Sequence, residues 1–293
     1  MTGDRTTPAN FITRFAPSPT GLLHLGHGFS ALTAWDAAQA AGGEFLLRIE
    51  DIDIARARPE YEAAIYEDLA WLGMTWPEPV LRQSERLSVY AAALEKLEGL
   101  GVTYPCRCTR ADIHAALSAP QEGAAHIGSH GAVYPGTCRG RAMVECGPGD
   151  AIRLDLDRAL ALLGEQELTW RETGAAHAGT HKLDCDAMRQ QIGDVVLGRK
   201  DISAAAYHLS VVVDDAAQGI THVIRGEDLL ETTPIHRLLQ ALLDLPVPVW
   251  HHHALIRDAA GKRLAKRNDA CAIRTYREAG RTPEDVRRMM FAT

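Results

Sequence analysis

Apolar and polar positions change period several times along this chain, and each change predicts an element. Phe11, Ile12 and Phe15 form a short apolar run that predicts a buried strand. The run stops at Pro17 and Pro19, neither of which donates to a sheet ladder. Gly21 turns the chain, and Leu22, Leu25, Phe29, Leu32 and Trp35 then recur at helical spacing. Glu44 to Glu50 predicts a second strand, ending in the acidic Glu50-Asp51-Ile52-Asp53. Two amphipathic helices are expected around Pro59 to Gly73 and Ser84 to Gly101. Tyr104-Pro105-Cys106-Arg107-Cys108 breaks that pattern and opens a different module. Ser118 to Val133 is rich in Ala, Gly, Ser and His without any period, which predicts a mobile surface loop. Ala151 to Leu168 alternates and then turns mixed. Asp194 to Asp201 reads as a hairpin, Tyr207 to Asp215 with its valine run as a buried strand, Thr221 to Arg225 as another strand, and Thr233 to Leu243 as a helix. No internal repeat is visible. A strand–helix array interrupted by a cysteine-bearing insertion is an α/β architecture of the nucleotide-binding kind.

Composition narrows the class without deciding it. Hydrophobic residues at 46% and charged residues at 24% fit a soluble globular protein. The polar stretch from Met1 to Asn10 has no apolar leader, and no apolar run approaches a membrane span, so a cytoplasmic protein with no membrane contact is expected. The 6 cysteines are too few and too uneven for a disulfide framework, which leaves metal binding or burial. Cys185 and Cys271 stand alone and read as buried small hydrophobes. A net charge of −7 opposes RNA binding unless the cations are localised. They are concentrated from Arg257 to Arg288, although beyond Arg274 a solvated helical face explains the charge equally well.

Two motifs carry the chemistry. Arg14-Phe15-Ala16-Pro17-Ser18-Pro19-Thr20-Gly21 runs into His24-Leu25-Gly26-His27, which sets two imidazoles on the first turn of a helix that follows a strand. Helix N-termini hold phosphates through free N–H groups and their partial positive charge, and Gly26 lets a nucleotide approach the backbone. Near the other end, Gly261-Lys262-Arg263-Leu264-Ala265-Lys266-Arg267-Asn268 sets four cations in a loop able to close over a polyphosphate. Together these segments resemble the HIGH and KMSKS signatures of class I aminoacyl-tRNA synthetases, in the form used by the glutamyl and glutaminyl branch. The second motif departs from the family pattern, with Arg263 in place of a lysine and Ala265 in place of a serine.

The resemblance implies a Rossmann-type nucleotide-binding domain with a zinc-bearing insertion and a helical C-terminal portion. Residues 1–103 and 194–245 would be its two halves, 104–193 the insertion, and 246–293 the KMSKS-like loop with the helical portion. It further implies that a carboxylate attacks the α-phosphorus of ATP, carried with Mg2+, and that catalysis is mostly positioning and electrostatics. His24, His27, Lys266 and Arg263 would then be catalytic, and His24, Gly26, His27 and Lys266 would bind ATP. Charges at strand ends speak to the amino acid. Arg14, Glu50, Tyr207 and Arg225 supply two guanidiniums, one carboxylate and one phenol, which suits L-glutamate or aspartate better than glutamine. In the glutamyl family the segment matching Arg14 to Ser18 (Arg14, Phe15, Ala16, Pro17, Ser18) contacts glutamate. Arg225-Gly226-Glu227-Asp228 is similar to that family's R-G-x-D segment.

Cys106-x-Cys108 followed by Tyr134-x-x-x-Cys138 is similar to the zinc pattern of the short glutamyl-synthetase-like proteins that modify tRNA(Asp). Structural zinc takes four ligands, and thiolates suit it. Tyrosine is an unusual ligand, so His130 and Cys146 compete with Tyr134 for the fourth position. His251-His252-His253 sits in a strand-like setting where alternate rings face opposite sides, which argues against a chelate, and the resemblance places His253 near the active site. The chain ends about 25 residues after Asn268, too soon for the large anticodon-reading domains of a full glutamyl synthetase. The resemblance to the short paralogues implies transfer of glutamate to the queuosine base in the anticodon loop of tRNA(Asp). Two other readings stay open: a minimal glutamyl-tRNA synthetase that charges the terminal ribose, and an inactive zinc-bearing RNA-binding paralogue.

Overall fold

A parallel sheet receives the first motif. In the computed structural model, which describes residues 10–118, 127–128, 131–199, 204–256 and 271–291, β1 (Ile12–Phe15) is followed by α1 (Leu25–Ala40) and by β2 (Glu44–Ile49), which lies parallel to β1 with Arg14 opposite Leu46. Next come α2 (Pro59–Trp71), the short β3 (Leu81–Arg82) on the other edge of β2, and α3 (Leu87–Gly99). Pro59 opens α2, where its missing N–H costs no helical bond. The apolar faces of α1 and α2 meet the sheet through Leu32, Ile65, Leu69, Leu47 and Ile49, all buried in one core.

The module that starts at Tyr104 begins with β4 (Thr103–Cys106) and α4 (Arg110–Ser118). A two-residue pair, β5 (Ile127–Gly128) with β6 (Gly131–Ala132), lies within the stretch expected to be a mobile surface loop, of which 119–126 and 129–130 fall outside the described residues. Then follow β7 (Ala151–Leu154), α5 (Leu156–Leu163), β8 (Thr169–Glu172), β9 (Gly179–Lys182) and α6 (Cys185–Gln191). The span expected as a hairpin, Asp194 to Asp201, holds only its first strand, β10 (Val196–Arg199); the antiparallel partner is β11 (Ala204–Ala205), further along the chain, and β10 also pairs with β7 in a sheet ordered β11-β10-β7-β4.

The valine run corrects the sequence reading. Tyr207–Ala217 is a helix, α7, not a strand, and every residue from Leu209 to Asp215 is buried. A helix enclosed on nearly all sides shows no amphipathic period, and burial overrides the β-branched preference for strands. The helix also brings both acids onto buried partners. Asp214 accepts from Gln83 Nε2 at 2.9 Å, Arg86 Nε at 2.7 Å and Tyr90 Oη at 2.8 Å. Asp215 accepts from Arg14 and Arg48.

The chain then runs through β12 (His222–Gly226), α8 (Thr233–Leu243), β13 (Val249–His253), α9 (Ile273–Glu278) and α10 (Pro283–Phe291). The second sheet is ordered β12-β13-β8-β9, so β8 and β9 leave their sequence neighbours and close the edge beyond β13. The Thr221 N–H donates to the Ile12 carbonyl at 2.9 Å, which sets β12 beside β1. Cys185 and Cys271, expected to be buried, are exposed, Cys185 opening α6 and Cys271 standing just ahead of the N-cap of a later helix. No described helix is long and apolar enough to cross a membrane.

Candidate active site and cysteine cluster

The ends of β1, β2, β12 and β13 open into one cavity of about 450 Å³. Arg14, Phe15, Ala16, Ser18, Glu50, Tyr207 and Arg225 all line it, together with His24, Gly26, His27 and His253. Pro17 does not line it but is buried, and its carbonyl accepts the Glu50 N–H at 3.0 Å, tying the β1 exit to the end of β2. A cavity of this size suits a small polar ligand or part of a nucleotide.

The two histidines of the first motif cap α1 reciprocally. His24 is the N-cap, its Nδ1 accepting the Gly26 N–H at 3.1 Å, while His27 Nδ1 accepts the His24 N–H at 3.3 Å. The rings stack with centroids 3.7 Å apart. Because both Nδ1 atoms accept, each neutral ring carries its proton on Nε2, a donor position. The sequence could place two imidazoles at this helix start, and the cap fixes their tautomers.

Charges behind the cavity are more entangled than the sequence indicated. Arg14 makes a two-pronged pair with Asp215, Nε to Oδ1 at 2.9 Å and Nη2 to Oδ2 at 3.2 Å. Arg48, wholly buried, bonds Asp215 at 2.7 Å, Gln218 at 2.9 Å and Glu50 at 3.3 Å. Burial pushes the Glu50 carboxyl up from its ordinary value, against the pull of Arg48 and Arg14. Burial raises the Tyr207 phenol, with Arg225 acting the other way. Arg225 has no carboxylate at ion-pair distance among the described residues. Its bonds run to His252, His236, Thr233 and the Leu229 carbonyl. Burial lowers its pKa, with the neighbouring Tyr207 raising it.

Lys266 and Arg263 lie outside the described residues. Leu255 and Ile256, ahead of them in the chain, line the cavity. Beyond them Ala272 bridges to His24, which lines the cavity, and the Ile273 N–H donates to the Leu23 carbonyl at 2.8 Å.

A separate cluster gathers Cys106, Cys108 and Cys138, whose sulfur atoms all lie within 4.8 Å of one another and could hold a metal ion. Tyr134 Oη stands 3.3 Å from Cys106 Sγ and 3.4 Å from Cys108 Sγ, and it accepts the Cys138 N–H at 2.9 Å. The Arg153 guanidinium lies 3.8 Å above the Tyr134 ring centroid. Cys146 is exposed and outside this cluster, and His126 and His130 lie outside the described residues. Three sulfurs gathered at one point are donors that suit zinc, and the Tyr134 oxygen stands beside them.

Comparison with known proteins places this geometry. The catalytic-domain model of class I tRNA synthetases (E and Q) matches residues 10–130 and 179–292. A glutamyl-Q tRNA(Asp) synthetase of Rhodobacter capsulatus is 57% identical over 95% of this chain and 99% of its own length. The chain belongs to the glutamyl-Q tRNA(Asp) synthetase family. A glutamyl-Q tRNA(Asp) synthetase of Deinococcus radiodurans is 43% identical over 93% of this chain and 85% of its own length. The crystal structure of a glutamate tRNA ligase from Elizabethkingia meningosepticum, in complex with its amino acid, matches with a TM-score of 0.75 at 27% identity. That match covers 96% of this chain, which spans 60% of the ligase. The protein is thus a ligase of the class I synthetase type with that class's catalytic fold.

Within this synthetase family member, sequence reasoning missed Arg48, Asp215, Glu172, His236 and His252. Asp215 was hidden by the strand reading of α7, because alternation would send it and Asp214 to opposite faces. Arg48 lies inside the apolar run of β2, where period alone does not show that its partners are buried. His252 was passed over for His253, whose Nε2 meets Ser30 Oγ at 3.0 Å beside the cavity. Nothing in the sequence marked Glu172 or His236.

Proposed function

We propose that this enzyme activates L-glutamate with ATP and transfers it to the queuosine base in the anticodon of tRNA(Asp). The observation that carries the glutamate half is the buried, carboxylate-free Arg225, facing the same cavity as Arg14, Glu50 and Tyr207. A substrate carboxylate would complete the ion pair that Arg225 lacks, and Glu50 would face the substrate ammonium. Phe15, Ala16, Pro17 and Ser18 would shape that end of the pocket. The acceptor half is supported by the names of the relatives.

In this reading an oxygen of the glutamate carboxylate forms a bond to the α-phosphorus of ATP, and the bond to the β-phosphate oxygen breaks. The Nε2 donors of His24 and His27, Gly26 at the helix start, and Lys266 with Arg263 would stabilise the charge that shifts onto the phosphate oxygens. Mg2+ carried with ATP would neutralise part of that charge. One Zn2+ held by Cys106, Cys108, Tyr134 and Cys138 would be structural, since none of these residues lines the cavity. Residues 1–103 and 194–245 serve as the catalytic halves in this scheme, 104–193 as the insertion and 246–293 as the closing loop and helices.

The glutamate-facing groups are already fixed by protein partners, so adenylate formation should need no RNA. ATP–pyrophosphate exchange with glutamate alone is the first measurement, and exchange seen only after tRNA addition would overturn that part. The second uses queuosine-containing tRNA(Asp) whose terminal nucleotides have been removed enzymatically. Glutamate transfer should survive this trimming and vanish when the base lacks queuosine, because the diol hydroxyl of that base is the nucleophile. Transfer abolished by trimming makes the protein a minimal glutamyl-tRNA synthetase instead.

A further inference from the structure

Arg225 is held by a buried relay that begins outside the family-matched segments. Glu172, at the end of β8, falls between the two stretches matched by the synthetase family. Its Oε2 lies 2.6 Å from His252 Nδ1, and both side chains are wholly buried. Its Oε1 accepts N–H groups from Thr173 at 3.0 Å, Gly174 at 2.6 Å and His252 at 3.0 Å. Gly174 has to be glycine for this approach, because a Cβ there would sit 2.2 Å from the His252 carbonyl oxygen and 2.9 Å from Glu172 Oε1.

The bonding dictates protonation. Arg225 Nε only donates, so His252 Nε2, 3.0 Å away, accepts, and the imidazole proton sits on Nδ1 toward Glu172. Arg225 Nη1 lies 3.2 Å from His236 Nδ1, so His236 also accepts there, and its Nε2 proton points to His208 Nδ1 at 3.2 Å. Burial and the adjacent Arg225 charge push His252 down to about 4 and His236 well below its ordinary value, consistent with two neutral rings. Against burial, the N–H of His252, the His252 ring and the N–H of Gly174 keep Glu172 ionised. The contrast with Arg14 is direct, since Arg14 is already paired to Asp215 while Arg225 meets neutral acceptors only.

We infer that Glu172, His252 and His236 are positioning residues for substrate recognition, orienting Arg225 with neutral acceptors so that its positive charge stays available to a carboxylate of the bound amino acid. The strand pair β8–β9 would then contribute more than a sheet edge, since through Glu172 it sets the tautomer that aims the guanidinium. This inference rests on the glutamate reading above.

The test compares Glu172→Gln, His252→Leu and His252→Gln with wild type in glutamate-dependent ATP–pyrophosphate exchange. Glu172→Gln and His252→Leu should raise the KM for glutamate about tenfold or more while the KM for ATP moves by about twofold at most. His252→Gln keeps an acceptor toward Arg225 and should recover most of the glutamate affinity lost in His252→Leu. A purely structural role would instead lower thermal stability and move both KM values together. If His252→Leu does not fold, the near-isosteric Glu172→Gln carries the test alone. A glutamate KM within about twofold of wild type in the folded variants overturns the inference and leaves the glutamate reading standing. A wild-type enzyme without glutamate-dependent exchange overturns the glutamate reading itself, and the inference with it.

Discussion

Asp68 on α2 shows what a single misfitted charge does to this fold. Its side chain is 0% exposed, neither carboxylate oxygen has a hydrogen-bond donor among the described residues, and the Arg277 guanidinium stands 3.7 Å away. Burial raises its pKa to about 6, with Arg277 and Arg274 pulling the other way. The folded-state value therefore exceeds the unfolded one of about 3.9, so proton binding favours the native state. The ionised group costs stability in full above about pH 6, and the cost fades as pH falls toward 4. Asp68→Asn should raise unfolding free energy by about 1 kcal/mol at pH 8, with the gain shrinking in the acid range. Urea denaturation of both proteins across that pH range checks it. A variant less stable than wild type at pH 8 would mean that pairing to Arg277 outweighs burial.

At the scale of elements, close approaches rather than propensities decide several joints. Gly43 precedes β2, and a Cβ there would lie 2.1 Å from the Phe11 carbonyl oxygen and 2.7 Å from Phe11 Cβ. That obstacle is largely backbone, at the entry to the strand carrying Arg14, so Gly43→Ala should cost about 2 kcal/mol or more. Gly99 ends α3, and a Cβ added there would meet nothing within 4 Å, so Gly99→Ala should be neutral or stabilising by up to about 1 kcal/mol. Denaturant midpoints of the two variants measured side by side decide the matter. The C-terminal helix α10 shows the milder case. A Cβ on Gly28 of α1 would meet the flexible end of Met290 at a distance of 2.4 Å and Ile273 Cδ1 at 3.0 Å, both side chains rather than backbone.

For the molecule as a whole, two features bear on the segment proposed as the insertion: the β8–β9 pair lies on the edge of β13, and the cysteine cluster sits at the end of β4. If the cluster holds structural zinc as proposed, metal analysis should find about one zinc per chain. Cys138→Ser should lower both zinc content and melting temperature, because metal binding to a site absent from the unfolded chain is folding free energy. Unchanged zinc in that variant would move the ligand set elsewhere. The cluster shares no residue with the catalytic cavity, so the loss is expected in stability ahead of chemistry.

Sequence alone determined the parts whose signal is local. The strand–proline–glycine–helix run from Phe11 to Trp35 specifies β1, the turn and the α1 N-terminus through backbone rules, while Cys106, Cys108, Tyr134 and Cys138 were grouped by their resemblance to the family's zinc pattern. Strand-end positions likewise sufficed to put Arg14, Glu50 and Arg225 in one cavity. Tertiary structure decided what depends on enclosure. Tyr207–Ala217 is helical despite its valines, its burial from Leu209 to Asp215 having hidden the helical period, and that helix turned Asp215 onto Arg14 and Arg48. Pairing of β8 with β13 brought Glu172 to His252 across 80 residues of chain, a juxtaposition that no periodicity encodes. Which guanidinium is neutralised by protein and which is left for a ligand follows from those long-range partners, because a buried charge is defined by what surrounds it.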